Sequence, residues 1–153
     1  IASEDSAEVW GAFRVGRRVS PAVSFLSLND DYFELEAEHK GYLHLPCKAL
    51  HQRRFKWSDG SLRVVDSIKV KKPTRVVSRW HIAPDWRVEV INEELILLSF
   101  SDQLVTMAFK GGKISVNQRP SYRYLGKAEN RSVINLTANL EAGLNYLKVE
   151  IQK

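Results

Sequence analysis

Apolar and polar residues alternate with a period of two along most of this chain, a pattern typical of half-buried β-strands. The clearest example spans residues 32–39, where Phe33, Leu35 and Ala37 alternate with glutamates. No segment has convincing helical periodicity. The pattern predicts an all-β chain of about ten to twelve short strands. The predicted strands are residues 9–19, 22–28, 32–39, 49–57, 62–69, 75–82, 86–91, 94–100, 104–110, 113–118, 132–138 and 146–152.

Turn residues separate these segments. Asp59-Gly60 predicts a tight hairpin between two of the strands, and Gly111-Gly112 predicts a second hairpin further along the chain. Gly11 and Gly16 interrupt the first strand, which predicts a bulge or a close backbone contact there. Short strands at this spacing are typical of an antiparallel sandwich or barrel. We predict one antiparallel β-sandwich domain over residues 1–153.

The composition narrows the class of protein. No apolar run approaches the roughly 18 residues of a membrane helix, and we predict no membrane partner. Cys47 is the one cysteine of the chain, so an internal disulfide is excluded. The chain starts with Ile1 rather than Met, which indicates a mature product or a piece excised from a longer protein.

The net charge of +5 is concentrated in the middle of the chain. Residues 48–87 carry 11 Lys and Arg against 3 acids, an excess of +8. A local excess of this size attracts anions, although a solvated basic surface without a ligand would have the same composition. The chain lacks a basic recognition helix, a Cys/His finger and an RNA-recognition signature, so we predict no nucleic-acid partner.

Three of the four histidines lie on predicted strands: His39, His51 and His81. Together with Asp66 they could bind a metal, but no pair has the close spacing of a dedicated metal motif, and hydrogen-bonded or interface histidines are the simpler interpretation. We predict no metal site and no cofactor. A histidine could act as a base, as could Tyr42 if a cation lowers its pKa, but the chain has no nucleophile elbow, P-loop or His-Glu-x-x-His.

Four tryptophans could form a platform for sugar rings. Trp57 lies beside a turn and is expected to be exposed, whereas Trp80 alternates with Arg79 and His81 and is expected to point into the sandwich. Most of the aromatic residues are therefore interpreted as core.

Several sequence blocks resemble the C-terminal sandwich of heparinase II/III-like proteins. Their order and spacing fit that family over nearly the whole chain. The blocks are the segment of residues 6–18 around Glu8-Val-Trp-Gly11, His39-Lys-Gly-Tyr42, His51-Gln-Arg53 followed by residues 59–66, Trp80-His-Ile-Ala-Pro84 and Tyr124-Leu-Gly126.

The resemblance implies a function. The family comprises polysaccharide lyases and bacterial relatives that cleave uronate-containing chains by β-elimination, which needs a preorganised positive surround because charge develops on the uronate carboxylate. Most catalytic residues of the family lie on an N-terminal α/α-toroid, and a His-x-Asp block precedes the Glu-Val-Trp-Gly segment. This chain contains no His-x-Asp. The resemblance therefore implies a C-terminal part without the main catalytic groups, with a periplasmic or secreted location favoured.

Only five residues are carried over from the family motifs, as positions facing the cleft or the toroid: His39, Tyr42, His51, Arg53 and His81. The implied partners are the toroid of the same parent protein and an acidic polysaccharide, and we expect no lyase turnover from this chain alone. Two alternatives stay open. A free-standing carbohydrate-binding module would bind a glycan through Trp57 or His51, and a purely structural domain would show a large apolar patch without a polar cleft.

Overall fold

The computed structural model describes residues 1–7, 9–11, 14–124 and 127–153, with the backbone alone for residues 9–11, 14–15, 123–124 and 127. The described residues contain strands and no α-helix, and therefore no helix that could cross a membrane. The strands are β1 (Val9–Gly11), β2 (Arg14–Val15), β3 (Ala22–Asn29), β4 (Tyr32–His39), β5 (Leu50–Ser58), β6 (Ser61–Val70), β7 (Thr74–His81), β8 (Arg87–Val90), β9 (Leu95–Phe100), β10 (Gln103–Lys110), β11 (Lys113–Tyr124), β12 (Lys127–Leu140) and β13 (Gly143–Gln152).

Eleven of these strands form two antiparallel sheets, as the alternating pattern predicted. The large sheet has eight strands in the order β3-β4-β5-β6-β13-β10-β9-β8, and the small sheet has three in the order β11-β12-β7. The small sheet packs on the large one. The fold is therefore an all-β sandwich with layers of very different width.

The Asp59-Gly60 hairpin is confirmed. Both turn residues have positive φ, at 51° and 72°, and Ser58 pairs with Ser61, so the loop has two residues. The prediction at Gly111-Gly112 is wrong, because β10 lies in the large sheet and β11 in the small one. These glycines instead carry the chain from one layer to the other. A Cβ at Gly111 would lie 2.3 Å from the carbonyl oxygen of Tyr146, a distance that no side chain tolerates.

The first and the late strands also differ from the prediction. Residues 9–19 are not one strand: β1 and β2 pair with each other, with a register irregularity between Val9 and Gly11. Residues 8, 12 and 13 lie outside the described part, as do residues 125 and 126 of the Tyr124-Leu-Gly126 block. Strands β11 and β12 extend beyond the predicted 113–118 and 132–138, because their outer halves are polar and leave no apolar alternation to detect.

The core lies between the small sheet and one half of the large sheet. Side chains from the inner faces of β6, β9, β10 and β13 meet those of β7 and β12, and the loop before β5 closes one end. Trp80 packs against this core while Arg79 and His81 are exposed, as predicted. The largest fully buried side chains are Phe109, Ile68, Ile96, Met107, Ile134, Leu136, Leu147 and Val64.

The other half of the large sheet has no second layer in the described chain. Strand pairing places Leu28, Phe33 and Trp57 side by side on one face of this sheet. Val23 lies on the same face as the buried Leu147, because the cross-strand pairs connect the two through Asp66. Apolar side chains of this region are open to solvent, which is uncommon for a continuous sheet face. We call them the open apolar strip, and they are Val23, Leu26, Leu28 and Trp57, with exposed fractions of 62%, 61%, 72% and 43%.

Candidate functional site

Four of the singled-out side chains meet on the inner face of the large sheet. His39 ends β4 and pairs in register with His51 on β5, and Arg53 on β5 pairs with Asp66 on β6. Directly opposed residues of an antiparallel pair point to the same face, so the register alone brings the four together. We call His39, His51, Arg53 and Asp66 the histidine–aspartate network.

The contacts of the network are short and continuous. Nε2 of His39 lies 3.0 Å from Nδ1 of His51, and Nε2 of His51 lies 2.6 Å from Oδ1 of Asp66. Arg53 donates two hydrogen bonds to the Asp66 carboxylate, from Nε at 2.6 Å and from Nη2 at 2.8 Å. Asp66 is therefore the centre of the network, and it is almost completely buried.

The hydrogen bonds assign a tautomer to each imidazole. The backbone N–H of Gly41 donates to Nδ1 of His39 at 3.2 Å, so Nε2 of His39 carries the proton that is donated to Nδ1 of His51. His51 in turn carries its proton on Nε2, where it faces the Asp66 carboxylate. All four imidazole nitrogens are engaged. Neither ring offers a free nitrogen to a substrate, so the arrangement orients groups rather than supplying an accessible base.

Asp66 and Arg53 each stabilise the charged form of the other, as the pKa shifts of both groups indicate. Burial by itself raises the pKa of the Asp66 carboxyl, but the hydrogen bonds from His51 and Arg53 and the charge of Arg53 outweigh burial and hold the pKa below its ordinary value. Burial lowers the pKa of Arg53, but its hydrogen bond with Asp66 and the charge of that carboxylate leave the pKa raised. The Asp66–Arg53 pair is therefore fully charged at neutral pH.

His39 and Tyr42 lie at the solvent side of the network. Burial, with His51 and Arg53 as smaller causes, lowers the pKa of His39, so that its imidazole is neutral at pH 7. The ring of Tyr42 lies 5.3 Å from that of His39. Burial raises the pKa of Tyr42 and outweighs the lowering by the nearby cations Arg53 and Arg79. Tyr42 is therefore a poor base in this setting.

A pocket of about 220 Å³ opens beside the network, at the boundary between the two sheets. Tyr42, His51, Arg53 and Asp66 line it from one side and Ser78 of β7 from the other. The contact of 3.5 Å between Nη2 of Arg53 and Oγ of Ser78 joins the two sheets at this point. We call it the boundary pocket.

His81, the fifth predicted site residue, lies elsewhere. It projects from the outer face of the small sheet, where pairing places it beside Val133 of β12. Basic residues crowd this outer face, and a depression of about 380 Å³ lies among them with Val133 and Asn135 in its lining. We call the basic residues of this surface the cationic face, and they are Arg75, Arg79, His81, Lys113, Arg119 and Arg131.

The three histidines that were considered as a possible metal-binding group therefore do not form one cluster. His39 and His51 are joined, but His81 is on the opposite face of the other sheet. In the described part of the chain, no group of three or more His, Cys, Asp or Glu is arranged to hold a metal ion.

Sequence reasoning missed two features of these sites. It considered Asp66 only as a possible metal ligand, although a carboxylate opposite Arg53 across the Asp59-Gly60 hairpin could have been found by counting the register outward from the turn. It also missed Arg119 and Arg131, because their cross-strand pairing depends on the unpredicted outer half of the β11–β12 hairpin.

The broad, antiparallel, two-layered sheet architecture with a basic outer face belongs to the class of β-sandwich domains. The model of one family, heparinase II/III-like, C-terminal, matches residues 1–143, and the chain belongs to that family. No curated protein sequence matches the chain.

Solved structures share the fold. The heparan sulfate lyase HepC from Pedobacter heparinus matches with a TM-score of 0.70 and 15% sequence identity, over 86% of this chain and 21% of the lyase chain. The heparinase III that is the BT4657 gene product matches with a TM-score of 0.69 at 15% identity, again over 86% of this chain and 21% of that chain. This chain thus spans about a fifth of the length of the lyases it resembles.

Proposed function

We propose that this chain is the C-terminal sandwich of a polysaccharide lyase, where it packs on an N-terminal α/α-toroid and lines a cleft for a uronate-containing polysaccharide that is cleaved by β-elimination. The observation that carries the proposal is the open apolar strip. Strands β3, β4 and β5 present an apolar inner face that the small sheet does not reach. A sheet face of this kind is stable when another protein layer covers it.

The boundary pocket supports the same proposal. It lies between the covered and the uncovered halves of the large sheet, so a partner seated on the open apolar strip would stand next to Tyr42 and Arg53. The pocket is polar and contains a guanidinium that is already held by Asp66. The alternative of a purely structural domain predicts an apolar patch without a polar cleft, so a polar pocket beside the strip supports the lyase proposal instead.

The chemistry assigned to this chain is limited to positioning. Proton abstraction next to the uronate carboxylate needs a base with a free nitrogen or oxygen, and both network imidazoles are fully hydrogen-bonded. We therefore assign the base and the acid to the toroid, and we expect this chain alone to give no turnover of heparan sulfate, heparin or alginate.

The proposal is tested by co-expressing the chain with the toroid of its parent protein. Light scattering after size-exclusion chromatography measures the complex, and ultraviolet absorbance of the unsaturated product measures lyase activity. Leu26→Asp places a charge in the open apolar strip and should weaken the association about tenfold or more, because an unpaired carboxylate would be buried in the interface. Lyase activity at limiting concentrations should fall in parallel.

Leu104→Asp is the matched control. Leu104 is exposed to a similar degree, 57% against 61% for Leu26, but lies outside the open apolar strip on β10. Equal association of the Leu26→Asp variant and the unaltered chain would exclude the strip as the interface. Robust turnover by the chain alone would contradict the assignment of the catalytic base and acid to the toroid.

A further inference from the structure

We infer that the cationic face of the small sheet is a binding surface for a stretch of acidic polysaccharide, additional to the boundary pocket. The class of ligand rests on the proposed function, whereas the location rests on the geometry of this face alone. Five Lys and Arg residues and His81 project from three adjacent strands, and strand pairing fixes them in rows.

Two arginines of this face repel each other in the folded chain. Arg119 of β11 and Arg131 of β12 are directly opposed in the register, and like charges in that position destabilise a sheet. The ion pairs that Asp66, Glu34 and Glu150 form in the described residues are made with side chains of β5 and β6 and not with the arginines of this face. Glu129 shares the face at its far end and has an interaction of its own. The repulsion would be relieved by an anion bound between the guanidinium groups.

Arg131 gives the second, independent observation. Its Nε is buried and has no hydrogen-bond partner among the described residues. An unmade hydrogen bond of a buried charged donor is expensive, and such donors are normally satisfied by protein, water or ligand. The donor belongs to a side chain that lines the depression on this face, so the unsatisfied nitrogen lies next to the proposed binding surface.

His81 lies among these arginines and can also contribute hydrogen bonds to a ligand. His81 is exposed but partly desolvated by its neighbours, which lowers its pKa, and the charges of Arg131 and Arg79 lower the pKa further. A neutral imidazole between two arginines can accept as well as donate a hydrogen bond, which suits a hydroxyl-rich ligand better than a simple anion.

The lining of the depression distinguishes between polyanions. Asn117 and Asn135 in the lining offer amide groups for sugar hydroxyls. The depression has no Phe, Tyr or Trp in its described lining, so a ligand there would be held by charge and by hydrogen bonds rather than by ring stacking. Amide groups beside the arginines suit the hydroxyl groups of an acidic polysaccharide.

The test is binding of the isolated chain to heparan sulfate and alginate oligosaccharides of defined length, measured by isothermal titration calorimetry at two salt concentrations. Arg119→Gln/Arg131→Gln should weaken binding about tenfold or more, since both substitutions remove charge-assisted hydrogen bonds to the anion. The control Arg63→Gln/Arg87→Gln removes the same charge from the large sheet and should leave affinity within about twofold, because those residues are remote from the depression.

Each outcome decides the inference. Loss of binding in the first variant but not in the second supports it. Equal losses in both variants, or no binding by the unaltered chain, would overturn it and leave the toroid association test untouched. A duplex or single-stranded DNA of equal charge that binds more tightly than the oligosaccharides would overturn the assigned ligand class.

Discussion

Two groups of arginines in this molecule have opposite surroundings. Arg53, Arg54 and Arg63 on β5 and β6 each pair with a carboxylate on a neighbouring strand: Asp66, Glu34 and Glu150. None of these three carboxylates pairs with an arginine of the cationic face, where Arg119 and Arg131 instead oppose each other. The excess of positive charge in residues 48–87 is therefore partly neutralised in the fold. The charge that is left for a ligand lies on β7 and on two strands outside that segment.

The difference shows why charge counted along a sequence does not locate a binding surface. Arginines paired with a carboxylate contribute to the fold because the carboxylate satisfies them, while arginines that oppose each other across two strands repel and favour an external anion. Substitutions in the two groups should therefore have opposite effects on stability.

The largest effect is expected for Arg53→Ala. It leaves the buried Asp66 carboxylate without its bidentate partner, and we expect a loss of about 3 kcal/mol in the free energy of unfolding. Urea denaturation followed by tryptophan fluorescence measures the loss. Arg63→Ala, which breaks the exposed pair with Glu150, should cost at most about 1 kcal/mol. Similar losses for both variants would show that burial of Asp66 does not matter.

The next effect is the dependence of stability on pH. The pKa of His39 is lowered in the fold by burial, so the unfolded chain binds the proton more tightly, and stability should fall as pH drops below about 6.5. The pKa of Asp66 is also lowered, so a second loss should follow below about pH 4. Urea midpoints measured between pH 8 and pH 3, in steps of about one unit, would display both stages.

Three variants sharpen the pH measurement. His39→Gln should reduce the first stage, and His81→Gln should reduce it further, because the pKa of His81 is lowered by burial and by Arg131 and Arg79. His44→Gln, at an exposed loop position, is the control and should leave the profile unchanged. A first stage that survives in the His39→Gln/His81→Gln double variant would contradict these assignments.

The smallest expected effect is a gain in the stability of the free chain. Arg131→Glu replaces the like-charged cross-strand pair with Arg119 by an opposite pair and should stabilise the free chain by about 0.5 kcal/mol. The gain should shrink in high salt, where charges are screened. Arg87→Glu is the comparison on the large sheet. Destabilisation by Arg131→Glu would show that Arg131 already has a stabilising partner.

Much of the fold could be predicted because it depends on local patterns. Alternation identified most strands, and Asp59-Gly60 fixed one hairpin and thereby the register of His51 and Arg53 with β6. Gly111-Gly112 misled because a glycine pair is compatible both with a hairpin and with a passage between layers, and only the packing of β10 and β11 decides between them.

The candidate sites were harder to predict because their contacts are long-range. Arg63 and Glu150 are 87 residues apart in the chain, and no local window relates them. The separation of His81 from His39 and His51 follows from the sheet to which β7 belongs, which the alternating pattern does not specify. The sequence could therefore predict which side chains of a strand share a face, but not which other strands or sheets that face contacts.

Two glycines with similar backbone conformations differ in how freely evolution can replace them. Gly60 has a φ of 72° with no neighbouring atom within 4 Å of an added Cβ, so asparagine or aspartate can serve there in descendants of this sequence. Gly111 has a φ of 93° and the carbonyl oxygen of Tyr146 directly against it. Mutational drift can therefore remodel the tip of the β5–β6 hairpin, but the passage between the two layers has no alternative residue.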